Sequence, residues 1–109
     1  MATTHKKLAS VQLGSSAGDI YAPSVYGMVK TIVLHNTSSD SKHATIYFGT
    51  ASNAADKILR VNLEGYETLE WGCQHMIVVD GTSSSGVKLS GEAEDATTVN
   101  CFVFGAEES

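Results

Sequence analysis

Met28-Val29-Lys30-Thr31-Ile32-Val33-Leu34-His35-Asn36-Thr37-Ser38-Ser39-Asp40-Ser41-Lys42-His43-Ala44-Thr45-Ile46-Tyr47-Phe48-Gly49 shows the architecture in miniature. Two apolar runs rich in Val, Ile, Tyr and Phe are separated by Asn36 to Ser41, residues that bond their own backbone or accept positive φ. That pattern reads as strand, loop, strand. The same pattern repeats along the whole chain, with thirteen serines, ten threonines and ten glycines gathered in short clusters between apolar runs. Strands are expected at residues 8–13, 19–22, 25–35, 44–49, 57–63, 66–71, 75–79, 86–90 and 97–104. So many short strands in 109 residues leave no room for a substantial helix. The expected fold is all-β: a jelly-roll-like antiparallel β-sandwich of eight or nine strands. It forms a single domain over residues 1–109, with a short N-terminal arm at 1–10 and an acidic C-terminal tail at 105–109.

The punctuation adds local detail. Residues 80–86 make a second polar loop, and Thr50 to Asp56 is long enough for one short helical turn. Leu63-Glu64-Gly65-Tyr66 places a glycine between two runs and suggests a tight hairpin, although Glu-Gly is a weaker signal than Asn-Gly. Pro23 sits between two strands, where its missing N–H costs no ladder bond.

In a sandwich only one side of each sheet faces the core, so strands should alternate apolar and polar residues. Residues 66–71 do so, with Glu67, Leu69 and Trp71 on one face. Residues 28–34, 46–48, 76–79 and 101–104 are apolar on both faces for most of their length. Their second face must be covered, either by the chain's own loops and N-terminal segment or by another subunit.

Twelve acidic against seven basic residues give a net charge of −5, a field that repels nucleic-acid phosphates. No run approaches the ~18 consecutive apolar residues of a membrane span. Neither nucleic acid nor membrane is expected as a partner. The start lacks the apolar core of a secretory signal, so synthesis in a cytoplasm is expected, with Cys73 and Cys101 as reduced, buried thiols.

Each motif that could carry chemistry also has a plain structural reading. Gly14-Ser15-Ser16-Ala17-Gly18 matches the Gly-x-Ser-x-Gly nucleophile pattern, but the motif requires a helix after it, and Asp19 to Pro23 reads as a strand ended by proline. Cys73 and His75 share a strand face, yet a structural zinc site takes four ligands, and His35, His43 and Cys101 show no matching pair. Glu92-Ala93-Glu94-Asp95 lacks the spacing of a calcium loop and reads as a solvated charge run. Asn36-Thr37-Ser38 fits a glycosylation sequon that has no meaning in a cytosolic chain. Tyr21, Tyr26, Tyr47 and Trp71 are the candidates for a sugar-binding aromatic row. The expectation is a noncatalytic protein with no cofactor, no metal and no small-molecule ligand.

Val29 to Ser39, then Ala44-Thr45-Ile46-Tyr47-Phe48-Gly49, then Leu63-Glu64-Gly65-Tyr66-Glu67-Thr68-Leu69 and a closing Phe102-Val103-Phe104-Gly105 resemble the small β-sandwich virion proteins of tailed phages. The third element departs from that family's Leu-x-x-x-Glu-Thr-Leu spacing. The resemblance spans roughly residues 25 to 105. It implies a structural role on a phage head, as a capsid decoration or cement protein on the outer surface of the virion. The alternatives are a tail, neck or fibre component and a carbohydrate-binding module. The expected partners are other copies of the chain, in a closed oligomer such as a trimer, and a major capsid protein. The expected contact residues are Leu8, Val11 and Leu13 of the arm, steered by Lys6 and Lys7, with Met28, Ile32 and Leu34 of the doubly apolar strand. Basic residues at the start and Glu107 and Glu108 at the end are read as able to pair between neighbouring copies.

Overall fold

The computed structural model describes residues 3–16, 18–49, 57–82 and 88–108; the side chains of 3–5 and 73–76 fall outside that description. All its regular elements are strands: β1 (Thr3–Gln12), β2 (Gly18–Tyr21), β3 (Tyr26–Asn36), β4 (Lys42–Phe48), β5 (Lys57–Leu63), β6 (Thr68–Asp80), β7 (Leu89–Ala93) and β8 (Val99–Glu108). Among the described residues they form a long sheet ordered β1-β8-β3-β6 and a short one ordered β2-β7-β4-β5, with every pairing antiparallel. This order is that of a jelly roll: every connection but β4–β5 crosses from one sheet to the other.

Alternation explains the layering. On β3, Val29, Ile32, Leu34 and Asn36 point inward and are at most 1% exposed, while Thr31, Val33 and His35 between them are half-buried. The inward phase steps by one residue at Lys30, where the pairing of β3 with both β8 and β6 shifts register. A second shift falls at Leu8, between Lys7 and Ala9, beside the same stretch of β8. Such bulges bend strands and sharpen their twist. Between the sheets, Val99, Cys101 and Val103 of β8 meet Ala44, Ile46, Leu63 and Leu89 of the short sheet in one core.

Four expectations are corrected. The arm and the tail are paired with each other: β1 runs against β8 from Thr3↔Glu108 to Gln12↔Asn100, and Lys6 Nζ lies 2.8 Å from Glu107 Oε1. The complementary charges read as a contact between copies therefore close within one chain. Leu63-Glu64-Gly65-Tyr66 is not a hairpin, because β5 and β6 belong to different sheets and the turn arches between them. Gly65 is there for space, since a Cβ on it would overlap the carbonyl of Ser39. The positive φ falls instead on Tyr66, at 59°, with Glu67 N–H donating to the Glu64 carbonyl at 3.0 Å. The expected strands 66–71 and 75–79 form one strand, β6, whose residues 73–76 occupy a register jump opposite Lys30. The possible helical turn at 50–56 and the start of the strand expected at 86–90 lie outside the described residues.

Asn36 ties the loops at one end. Its Nδ2 donates to the carbonyls of Asp40 (2.7 Å), Glu64 (3.0 Å) and Leu63 (3.3 Å), and its Oδ1 accepts from the Ser38 N–H and hydroxyl, both at 2.9 Å. With its amide nitrogen spent and its side chain fully buried, it is no glycosylation acceptor.

Candidate interaction surface

Cross-strand partners in an antiparallel sheet share a side, so the register maps the outward face of the long sheet row by row. One row is Ser10, Phe102, Val33 and Glu70; the next is Lys7, Phe104, Thr31 and Gly72. Past the register shifts come Ala106, Met28 and Val78, then Glu108, Tyr26 and Asp80. The two central strands thus carry an apolar stripe along the sheet. Phe104 is 39% and Tyr26 37% exposed, and Phe102, Val33, Met28 and Val78 are half-buried. The doubly apolar strands follow from this, because consecutive apolar residues such as Phe102 and Val103 must send one side chain outward. The sheet's borders differ in sign, with exposed Lys7 on β1 and exposed Glu70 on β6.

The contact residues expected from the sequence divide. Lys7 lies on this face, as does half-buried Met28. Lys6 is turned the other way, into its bridge with Glu107, and Leu8 sits in the bulge. Val11 packs against the core, and Leu13, Ile32 and Leu34 are core residues at 3%, 1% and 0% exposure, so they present no surface to a partner. Phe102, Phe104 and Val33 were missed. Two adjacent apolar residues on a strand do not announce which of them faces out until the pairing is known.

The tyrosines and Trp71 form no row. Tyr21 is inside, Trp71 packs against the core, Tyr47 lies on the short sheet and Tyr26 on the long one. The most exposed aromatic is Tyr66, at 64%, on the turn between β5 and β6.

The acidic and nucleophilic candidates are structurally committed. Asp95 pairs with Lys42 at 2.5 Å, Glu94 with His43 at 3.2 Å, and Glu92 accepts from the Tyr47 hydroxyl at 2.6 Å, which holds that phenol's pKa above its ordinary value. Ser16 is exposed and Gly18 opens β2, so a strand follows where the nucleophile pattern needs a helix. Among the described residues no three His, Cys, Asp or Glu side chains converge as a metal site; the Cys73 and His75 side chains lie outside that set. Cys101 is free, fully buried, and pushed up to about 12 by desolvation, which keeps it a neutral thiol.

At the opposite end from Asn36, Tyr21 of β2 donates to Glu107 Oε2 of β8 at 2.5 Å, and Lys6 of β1 holds the other oxygen, so the group clasps the two sheets. Burial and the carboxylate raise the Tyr21 pKa; Lys6, then Tyr21, lower that of Glu107 below 4.5. A carboxyl with a depressed folded pKa contributes stability that is complete above its unfolded value and lost as pH falls through the folded one. Tyr21→Phe is therefore expected to cost about 1–2 kcal/mol at pH 7 and to flatten the decline of stability below about pH 4.5. Urea midpoints across pH 2–7 measure both effects, and an unchanged acid slope would count against the clasp.

No protein-family model matches the chain, and no curated protein aligns with it significantly.

Proposed function

We propose that the chain is a noncatalytic viral structural protein, a capsid decoration or cement protein that binds as an oligomer to the outer surface of a phage head. The observation that carries this reading is the apolar stripe through Phe102, Phe104, Val33 and Met28 on the outward face of the long sheet. Monomers seldom leave such faces uncovered, and a protein acting by contact area needs one. The resemblance to small phage β-sandwich virion proteins points the same way. Its partners are further copies of itself and a major capsid protein. Added contacts across capsomer boundaries would oppose the pressure of packaged DNA, and a net charge of −5 suits a surface away from the genome.

The test is co-sedimentation of purified protein with undecorated particles from its own source. Saturable binding is expected, weakened at least tenfold by Phe104→Asp in a variant with an unchanged circular dichroism spectrum. Without saturable binding, a tail, neck or fibre role replaces decoration. Exposed Tyr66 favours a carbohydrate-binding module as a second reading, and a glycan-array hit lost on Tyr66→Ala would bring that reading forward.

A further inference from the structure

We propose that the outward face of the long sheet is a two-fold interface between copies of this chain, the β1 border of one protomer lying over the β6 border of the other. This deepens the assembly reading above and rests on it for the face being a protein contact surface.

Among the charges of the middle rows, exposed Lys7 and Glu70 select the arrangement. Two sheets stacked face to face align their strands to within about 30°. A two-fold axis lying between them can run along the strands or across them. An axis across the strands places β1 over β1 and brings the two Lys7 side chains toward each other. An axis along the strands reverses the order β1-β8-β3-β6, so that β1 faces β6 and β8 faces β3. Lys7 then stands about 7 Å along the strands from the row of Glu70 in the other copy, within reach of two long side chains. By symmetry the contact occurs twice.

The apolar groups match in the same arrangement. Phe102 and Phe104 of β8 lie over Val33 and Thr31 of β3 in the other copy, so aromatic rings meet smaller branched side chains in both directions. The size is adequate. Four strands about 4.8 Å apart and about ten residues long, at ~3.4 Å each, present roughly 650 Å² in projection. A standard interface takes about 800 Å² of accessible surface from each partner, and side chains raise accessible area above projection. β1 is held in its own sheet by its pairing with β8, so it is not a free arm to be donated to a neighbour.

Sedimentation equilibrium at low and high salt, on the full chain, decides the matter. A dimer weakened by salt is expected. Lys7→Glu and Glu70→Lys should each weaken it about tenfold, and the double variant should return to within about threefold of the parent, since reversal in both copies restores both pairs. Phe104→Asp should give folded monomer. A parent that stays monomeric at 0.5 mM, a dimer indifferent to Phe104→Asp, or a double variant no better than the singles would overturn the proposal. Particle co-sedimentation separates this from the decoration reading. If the parent is monomeric while Phe104→Asp abolishes particle binding, the shell occupies the face and only the two-fold inference fails. If the dimer behaves as expected and nothing binds particles, decoration fails and the inference stands.

Discussion

Asn36→Ala is expected to lower stability by about 3–4 kcal/mol, roughly 15 °C in melting temperature for a domain of this size. The side chain is fully buried and is the common partner of three carbonyls and of both Ser38 donors. Truncation leaves the Ser38 N–H without its acceptor beside a small cavity and takes a donor from three carbonyls, of which Glu64 keeps the Glu67 N–H and Asp40 the Ser38 hydroxyl; an unmet buried polar group costs about 1–3 kcal/mol. It also removes the side-chain tie between the loop after β3 and the β5–β6 turn, leaving the backbone bonds from Tyr66 N–H to the Ser38 carbonyl at 3.0 Å and from Asn36 N–H to the Glu67 carbonyl at 2.9 Å. Asn36→Asp gives a sharper signature. Its carboxylate keeps an acceptor for Ser38 but sets negative charge against three carbonyl oxygens, so its folded pKa must lie above the unfolded one. The variant should be at least as unstable as the alanine at pH 7 and recover as pH falls through that raised pKa, the recovery being complete by about pH 4, where the acid is protonated and can donate. Urea unfolding at pH 7 and pH 3.5 reads both effects. A loss under 1 kcal/mol for the alanine variant would mean that the network does not hold the loops.

Gly105→Ala should be nearly as damaging, whereas the same change at Gly72 should be harmless. A Cβ at Gly105 would overlap the Met28 carbonyl and come within 3.1 Å of Val29 Cα, all backbone of the neighbouring strand, so no rotamer relieves it. β8 and β3 would have to separate in the middle of the long sheet where their register shifts, at a cost of about 3 kcal/mol or more. At Gly72 a Cβ meets nothing within 4 Å, and a strand gains slightly from losing a glycine, by about 0.5 kcal/mol. Denaturant midpoints at constant m-value compare the two directly. Equal effects would show that strand glycines here act through flexibility and not through space.

These residues also mark where local reading stops. The polar loop at Asn36 to Ser41 was legible, because an Asn bonding the backbone two residues on is local chemistry, and the Ser38 bond is of that kind. The bonds to Leu63 and Glu64 reach 27 and 28 residues along the chain, and nothing near Asn36 encodes them. Gly65 was legible as a turn glycine but not as an arch between sheets. Hairpin and arch need the same turn chemistry and differ only in where the next strand goes.

The order of residues along the chain already specifies an antiparallel β-sandwich of eight or nine short strands without a substantial helix, where most of its loops fall, and that several strands are apolar on both faces. Those properties live in side-chain alternation, turn residues and composition, each set within a few neighbours. Long-range packing fixes the rest: β1 closes on β8, Leu13, Ile32 and Leu34 turn inward while Val33, Phe102 and Phe104 turn outward, and Lys6 and Lys7 serve opposite sides of one sheet. A one-residue register step exchanges the two faces of a strand, and register in a jelly roll is set by partners far away in sequence, here with bulges at Leu8 and Lys30 that no local pattern announces.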